Sequence, residues 1–164
     1  MDKVFIRPVN KEEIEQICKI AVAAWQEIHA GYREYIGNKD LVERITHDWQ
    51  TRKAEQVRTK AEETPDEVVV AESDGRIIGF ATFSLNRKTG IGEIGNNAVS
   101  PDCQGLGVGK MLYNKVLEIF RREGMKYAIV STGYEDSGHA KARASYEKVG
   151  FKKMSTSITY SLEL

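Results

Sequence analysis

An excess of charge of either sign is the first thing this chain lacks. Lysine plus arginine and aspartate plus glutamate number 24 each in 164 residues, so no global field draws in nucleic acid or a membrane surface. Cysteine is scarce. Cys18 and Cys103 make no disulfide framework and have no metal-ligand spacing, which suits a reduced, cytoplasmic compartment and a protein that holds no metal. No apolar run approaches the ~18 residues of a spanning helix, and the opening MDKVFIRPVN lacks the apolar centre of a signal peptide. Internal repeats and low-complexity linkers are missing as well. These absences leave a single domain over 1–164, with enough chain for a real core.

Its order along the chain is that of strand, helices, sheet, helix, strand. Val4–Arg7 reads as a first strand. Asn10 and Glu13 then make a capping-box-like start to a helix with Ile14, Ile17, Ala21, Trp25 and Ile28 at spacings of three and four, stopping near Gly31. His29, Tyr32 and Tyr35 give that corner an aromatic and polar character, and packing is the plain role for Trp25 and the tyrosines. A second helical stretch runs from Lys39 into Thr51–Glu63, with Leu41, Ile45 and Trp49 as a stripe that Val57 and Ala61 extend. His47, among polar residues, is expected at the surface. After Pro65-Asp66, Glu67–Glu72 and Ile77–Leu85 are strands joined by Ser73-Asp74-Gly75-Arg76, a strong hairpin signal. Gly79 marks a bulge or a close approach.

Glu93–Val99 delivers the next strand into Pro101-Asp102-Cys103-Gln104-Gly105-Leu106-Gly107-Val108-Gly109-Lys110. Three glycines at alternate positions open a helix, where N–H groups have no intrahelical partner and the helix dipole favours negative charge. Glycine leaves bare backbone there and tolerates positive φ. A pyrophosphate cradle and a plain glycine-rich turn both fit the glycines alone. The Walker A spacing fails, because its first glycine falls at Gln104 and Met111 replaces the hydroxyl. The dinucleotide fingerprint fails too, needing glycine at Lys110 or Leu112. The helix continues to Arg122, with Val108, Leu112, Val116, Ile119 and Phe120 on one face, Arg121 and Arg122 complementing its negative end, and Gly124 closing it. Tyr127–Thr132 follows as a strand, expected to pair in parallel after a right-handed crossover.

Val99 through Gly109, read as Val-x-Pro-x-x-Gln-Gly-x-Gly-x-Gly, closely resembles motif A of the GNAT N-acetyltransferase family. A second match lies about forty residues on: His139–Phe151 reads HAKARASYEKVGF, against the family's Asn-x-x-Ala-x-x-apolar-Tyr-Glu-Lys-x-Gly-Phe. His139 stands where relatives have Asn, and Ser145 where they have a large apolar residue. The resemblance implies an α/β (α+β) GNAT fold: a mixed, mostly antiparallel central sheet of about seven strands, flanked by helices and splayed in the middle. Closing strands are expected between Phe151 and Leu162, with Ile158 and Tyr160 at period two.

It also implies a reaction. An amine attacks the thioester carbon of acetyl-coenzyme A directly, with no covalent enzyme intermediate, and Cys103 is expected to be an inert thiol. Backbone N–H groups of Ala98 and Val99 would polarise the carbonyl, a role in which one donor is typically worth ~3 kcal/mol. Gln104, Gly105, Leu106, Gly107, Val108, Gly109 and Lys110 would hold the pyrophosphate. His139, Ser145 and Lys148 would contact the rest of the cofactor, and Lys141, Arg143, Lys148, Lys152 and Lys153 form a basic cluster that either meets its 3′-phosphate or is a solvated face. Tyr146 occupies the general-acid position. Its reference pKa of ~10 against ~8.5 for a thiol makes a donated hydrogen bond as plausible as full proton transfer. Glu93 is either the general base or a solvated strand end, and alternation places it with Gly95, Asn97 and Val99 unless a bulge intervenes. Asn96 and Asn97 face the acceptor or satisfy such a bulge. The acceptor is a small-molecule amine, with a protein or peptide N-terminus and a non-catalytic coenzyme-binding module as alternatives. A homodimer stays open.

Overall fold

Three consecutive valines, Val68–Val70, and Ala71 are at most 2% exposed, and they place the second strand at the centre of the protein. A strand buried on both faces reads as a continuous apolar run, and this one has helices over each side. The structure, a computed structural model, describes residues 3–134 and 137–164. The Tyr35 side chain, for which packing is expected, lies outside the described residues.

Among the described residues five strands form one sheet in the order β1 (Phe5–Pro8), β2 (Val68–Ser73), β3 (Arg76–Asn86), β4 (Ile91–Val99), β5 (Tyr127–Val130). The first three junctions are antiparallel and β4–β5 is parallel. The hairpin between β2 and β3 turns through Asp74 (φ 52°) and Gly75 (φ 73°), the pair of positive φ values that a tight two-residue turn requires. The sheet has five strands where about seven were expected. Residues 151–164 form no strand, and Ile158 and Tyr160 are 76% and 87% exposed. A period of two defines a face for a segment, but a strand also needs an edge to pair with.

Helices α1 (Ile14–Tyr35) and α3 (Trp49–Glu63) cover one face of the sheet, and α4 (Val108–Arg122) and α5 (Ala140–Lys148) the other. Ile17, Ala21, Val57, Ala61, Val70 and Phe80 belong to the first layer, and Phe83, Ile94, Leu112, Val116 and Phe120 to the second. At the start of α1 the Glu13 carboxylate accepts the Asn10 backbone N–H at 2.8 Å, the reach-back half of the expected capping box. α1 runs four residues past Gly31, because one glycine costs a helix only ~1 kcal/mol. The second helical stretch is two helices, α2 (Lys39–Thr46) and α3, broken where Asp48 takes φ 52°. The expected stripe breaks with it: Val42 is buried and Ile45 is 41% exposed. Gly79 is a close approach, since a Cβ there would lie 2.9 Å from the Ala98 carbonyl oxygen.

The feature that positions the site is the parting of β4 from β5. They pair from Ile91↔Tyr127 to Ile94↔Val130 and no further, while β4 continues beside β3 to Val99.

Candidate active site

Between Ile94 and Asn97, β4 carries one residue more than β3 can match: Phe83 pairs Ile94 and Ala81 pairs Asn97. A bulge of this kind re-aims side chains. Glu93 and Gly95 line the groove under α3, Asn96 accepts a hydrogen bond from Lys53 of α3, and Ala98 lies in the α1/α3 layer. Ile94, Asn97 and Val99 turn to the α4/α5 layer. Simple alternation would have put Glu93 and Asn97 on one side. The bulge separates them.

On the α4/α5 side Asn97 meets two buried tyrosines. Its Nδ2 donates to the Gly95 carbonyl at 2.9 Å and to the Tyr146 hydroxyl at 3.0 Å, and its Oδ1 accepts from the Tyr113 hydroxyl at 2.8 Å. The two rings stand 4.9 Å apart, and Phe151 packs on Tyr146 from 6.0 Å. Burial pushes the Tyr146 phenol up, against the opposing effect of the neighbouring Asn97 and Tyr113 side chains. Tyr113 is pushed up further, by burial first and then by Tyr146. Both rings are neutral phenols at neutral pH.

The Ser100 N–H donates to the Ile78 carbonyl at 2.8 Å. With the two-residue repeat of an antiparallel ladder, the Ala98 N–H then points to β3 and the Val99 N–H to the open edge. Gln104 Nε2 reaches the Val99 carbonyl at 3.4 Å, and its Oε1 meets Lys141 Nζ at 3.4 Å. Arg76 grips Asp102 with two hydrogen bonds, 2.7 and 3.0 Å, and touches Ser100 Oγ at 3.2 Å. That tie fastens the start of the glycine loop to β3 and holds the Asp102 carboxyl well below its usual range, with Ser100 assisting. Burial, then Asp102, pushes the Cys103 thiol up, the opposite of what a nucleophilic cysteine needs.

Gly105 (φ 80°) and Gly107 (φ 82°) are left-handed, with open space where a Cβ would stand. Gly109 lies in the first turn of α4 with ordinary φ. The Val108 side chain is buried, so only its backbone faces the loop, whereas Gln104, Leu106 and Lys110 are exposed. Bare backbone, open space and a helix N-terminus fit the diphosphate of a coenzyme A ester. Ser145 is half-buried on α5, and Lys148 is exposed in its last turn. His139 stands in a 3-10 turn packed on α1, near enough to His29 to disfavour its protonation. The basic cluster disperses: Arg143 donates to the Gly133 carbonyl at 2.7 Å and Lys153 lies over the Tyr134 ring.

On the α1/α3 side Glu93 is exposed at the rim of an open groove of about 780 Å³ that Arg52, Gln56, Glu63, Thr82 and Asn96 also line. Lys53 bridges the two helices and β4, with Nζ 3.0 Å from both Gln56 Oε1 and Asn96 Oδ1 and 4.3 Å from the Trp25 ring centre. Burial lowers its pKa. Trp25 therefore does more than fill the core. Tyr113, Lys53 and the Arg76–Asp102 tie had no signal in the sequence, where each reads as an ordinary helix, helix and hairpin residue.

Comparison with known proteins agrees with this geometry. A family model described as the acetyltransferase (GNAT) family matches residues 21–151. A mycothiol acetyltransferase of Streptomyces avermitilis is 34% identical over 94 residues, 57% of this chain and 30% of that protein. An uncharacterised N-acetyltransferase of Methanocaldococcus jannaschii is 26% identical over 90% of this chain and 60% of its own length. The chain thus spans only part of the curated relatives it matches. Among solved structures, the PaiA N-acetyltransferase of Thermoplasma acidophilum in complex with coenzyme A has a TM-score of 0.74 at 20% identity, covering 94% of this chain and 93% of that one. A GNAT-family acetyltransferase of Brucella melitensis in complex with acetyl-coenzyme A has a TM-score of 0.61 at 20% identity, covering 93% and 85%. The parted strands, the glycine loop and the matching family model together show that this chain belongs to the GNAT family of acetyltransferases.

Proposed function

We propose that this protein transfers the acetyl group of acetyl-coenzyme A to the primary amine of a small-molecule acceptor by direct attack. The observation that carries the reading is the open edge of β4. The Val99 N–H, the Tyr146 hydroxyl held by Asn97 and the glycine loop all border the gap that opens after Ile94. Residues 104–110 hold the diphosphate on loop and helix amides, with Val99, His139, Ser145 and Lys148 along the remainder of the cofactor, while Ala98, expected there too, turns its N–H to β3. The Val99 N–H is aimed to stabilise the oxyanion that forms on the thioester carbonyl. The acceptor enters from the α1/α3 side, where Glu93, directly or through water, takes the proton that the nitrogen must lose. Tyr146 faces the leaving sulfur. Its raised pKa makes full proton transfer to a thiolate still less favourable than for a free phenol, so Tyr146 acts by donating a hydrogen bond that strengthens as charge develops. A module that only bound coenzyme A would not need that hydroxyl.

Thiol release from acetyl-coenzyme A in the presence of amines, polyamines, amino acids and short peptides tests this. Release with at least one small amine supports the reading, and release with peptides alone transfers it to the protein N-terminal alternative. Tight binding without release from any acceptor would overturn it. Tyr146→Phe should lower turnover at least tenfold, about 1.4 kcal/mol, with little change in cofactor affinity. Equal losses in both would make Tyr146 a binding residue.

A further inference from the structure

Asn97 stands between two tyrosine hydroxyls, and the direction of its amide decides what each can do. The atom 2.9 Å from the Gly95 oxygen must be the nitrogen, because a carbonyl only accepts. That same nitrogen lies 3.0 Å from the Tyr146 hydroxyl, so its second proton goes there. The amide oxygen then faces the Tyr113 hydroxyl at 2.8 Å, which can only donate to it. Tyr146 Oη is 3.3 Å from the same oxygen, long for an O–H···O hydrogen bond. With Tyr113 in place, the oxygen already has a better donor.

We propose that Asn97 and Tyr113 are positioning residues that commit Tyr146 to donating: Asn97 fills an acceptor site on the Tyr146 oxygen, Tyr113 occupies the Asn97 oxygen, and the Tyr146 proton is left free for the leaving sulfur. The inference rests on Tyr146 facing that sulfur. As the new N–C bond forms and the C–S bond breaks, the sulfur departs with the bonding pair. The Tyr146 O–H bonds to that thiolate without transferring its proton, and the proton lost by the amine leaves through Glu93 or water.

A double-mutant cycle tests it. Without its hydroxyl, Tyr113→Phe leaves the Asn97 oxygen to capture the Tyr146 proton. Turnover should fall about tenfold with acetyl-coenzyme A affinity unchanged, and in a Tyr146→Phe background the same substitution should change turnover by less than about twofold. A merely structural role for Tyr113 would give the same fractional loss in both backgrounds, which overturns the proposal, as does full turnover in Tyr113→Phe. If Tyr146→Phe itself keeps native turnover, the reading of Tyr146 fails, and that result is distinct from the other two. One measurement needs no variant to fold: proton NMR of the native protein should show both Asn97 amide protons protected from exchange and a Tyr113 hydroxyl proton close to the Asn97 side chain. A Tyr146 hydroxyl proton in that place would overturn the assignment.

Discussion

His29 has a buried ring nitrogen, Nδ1, with no hydrogen-bond partner among the described residues. Its imidazole stacks on Trp49 at 4.1 Å and meets Tyr32 edge-on at 5.1 Å. Burial, then Lys53, Arg52 and His139, brings its pKa down to about 4. An unfolded histidine takes up a proton near pH ~6.5, so between about pH 6.5 and pH 4 the unfolded state binds a proton that the folded state refuses. Stability is therefore full above pH 6.5, declines as pH falls, and levels off below pH 4. Because the ring is only partly buried, the loss is about 1 kcal/mol rather than the full value of the shift. Urea midpoints measured across this range should show the decline, and His29→Phe, which keeps a ring to stack, should remove most of it. A native-like pH profile in the variant would place the titration elsewhere. At this scale the sequence was least informative. His29 appeared in it as part of a polar, aromatic corner, but the distant residues that desolvate it and surround it with positive charge come from α3 and the 3-10 turn at 137–139.

At the scale of elements, the glycine loop separates two uses of glycine that the sequence cannot distinguish. Gly105 and Gly107 are needed for their backbone, since φ near 80° is costly for any residue with a Cβ. Gly109 is helical, and a Cβ there would make only ordinary contact with Tyr113 at 3.8 Å. The fold does not require its lack of a side chain, and we propose that it serves the ligand. Gly109→Ala should stabilise the protein by about 0.5–1 kcal/mol through helix propensity and weaken acetyl-coenzyme A binding about tenfold. Thermal unfolding and calorimetric titration of one variant read both. If stability rises and affinity holds, the diphosphate lies away from Gly109. Gly107→Val, by contrast, should lose on both measures. The elements themselves were readable where local pattern and tertiary packing agree: the hairpin at Asp74-Gly75, the apolar stripe of α4, and the β-branched β2. Reading failed where a single residue decides the path of the chain. The left-handed Asp48 breaks one helix into two, and the bulge at 95–96 turns Asn97 towards Tyr113, so Tyr113, which only a three-dimensional view pairs with Tyr146, joins the site.

The sheet divides the molecule into two working faces, and that division predicts the order of chemical events. Glu93 and the open groove belong to the α1/α3 face, while the Tyr146–Asn97–Tyr113 cluster belongs to the α4/α5 face. The parting of β4 and β5 connects them. An acetyl group crossing from one face to the other needs either both substrates present together or a residue to carry it. Among the described residues the thiol nearest the glycine loop is Cys103, and its pKa is raised, with Asp102 adding to the effect of burial. A thiol in that state is a poor carrier, because the reactive form is the thiolate. We therefore propose direct transfer within a ternary complex. Reciprocal initial-rate plots at several fixed acceptor concentrations should intersect, and incubation with radiolabelled acetyl-coenzyme A alone should leave no label on the denatured protein. Cys103→Ala should retain turnover within about twofold, since its half-buried side chain fills space that alanine largely keeps. Parallel lines, or label bound to protein and lost in Cys103→Ala, would mean that the acetyl group rests on the enzyme between the two faces.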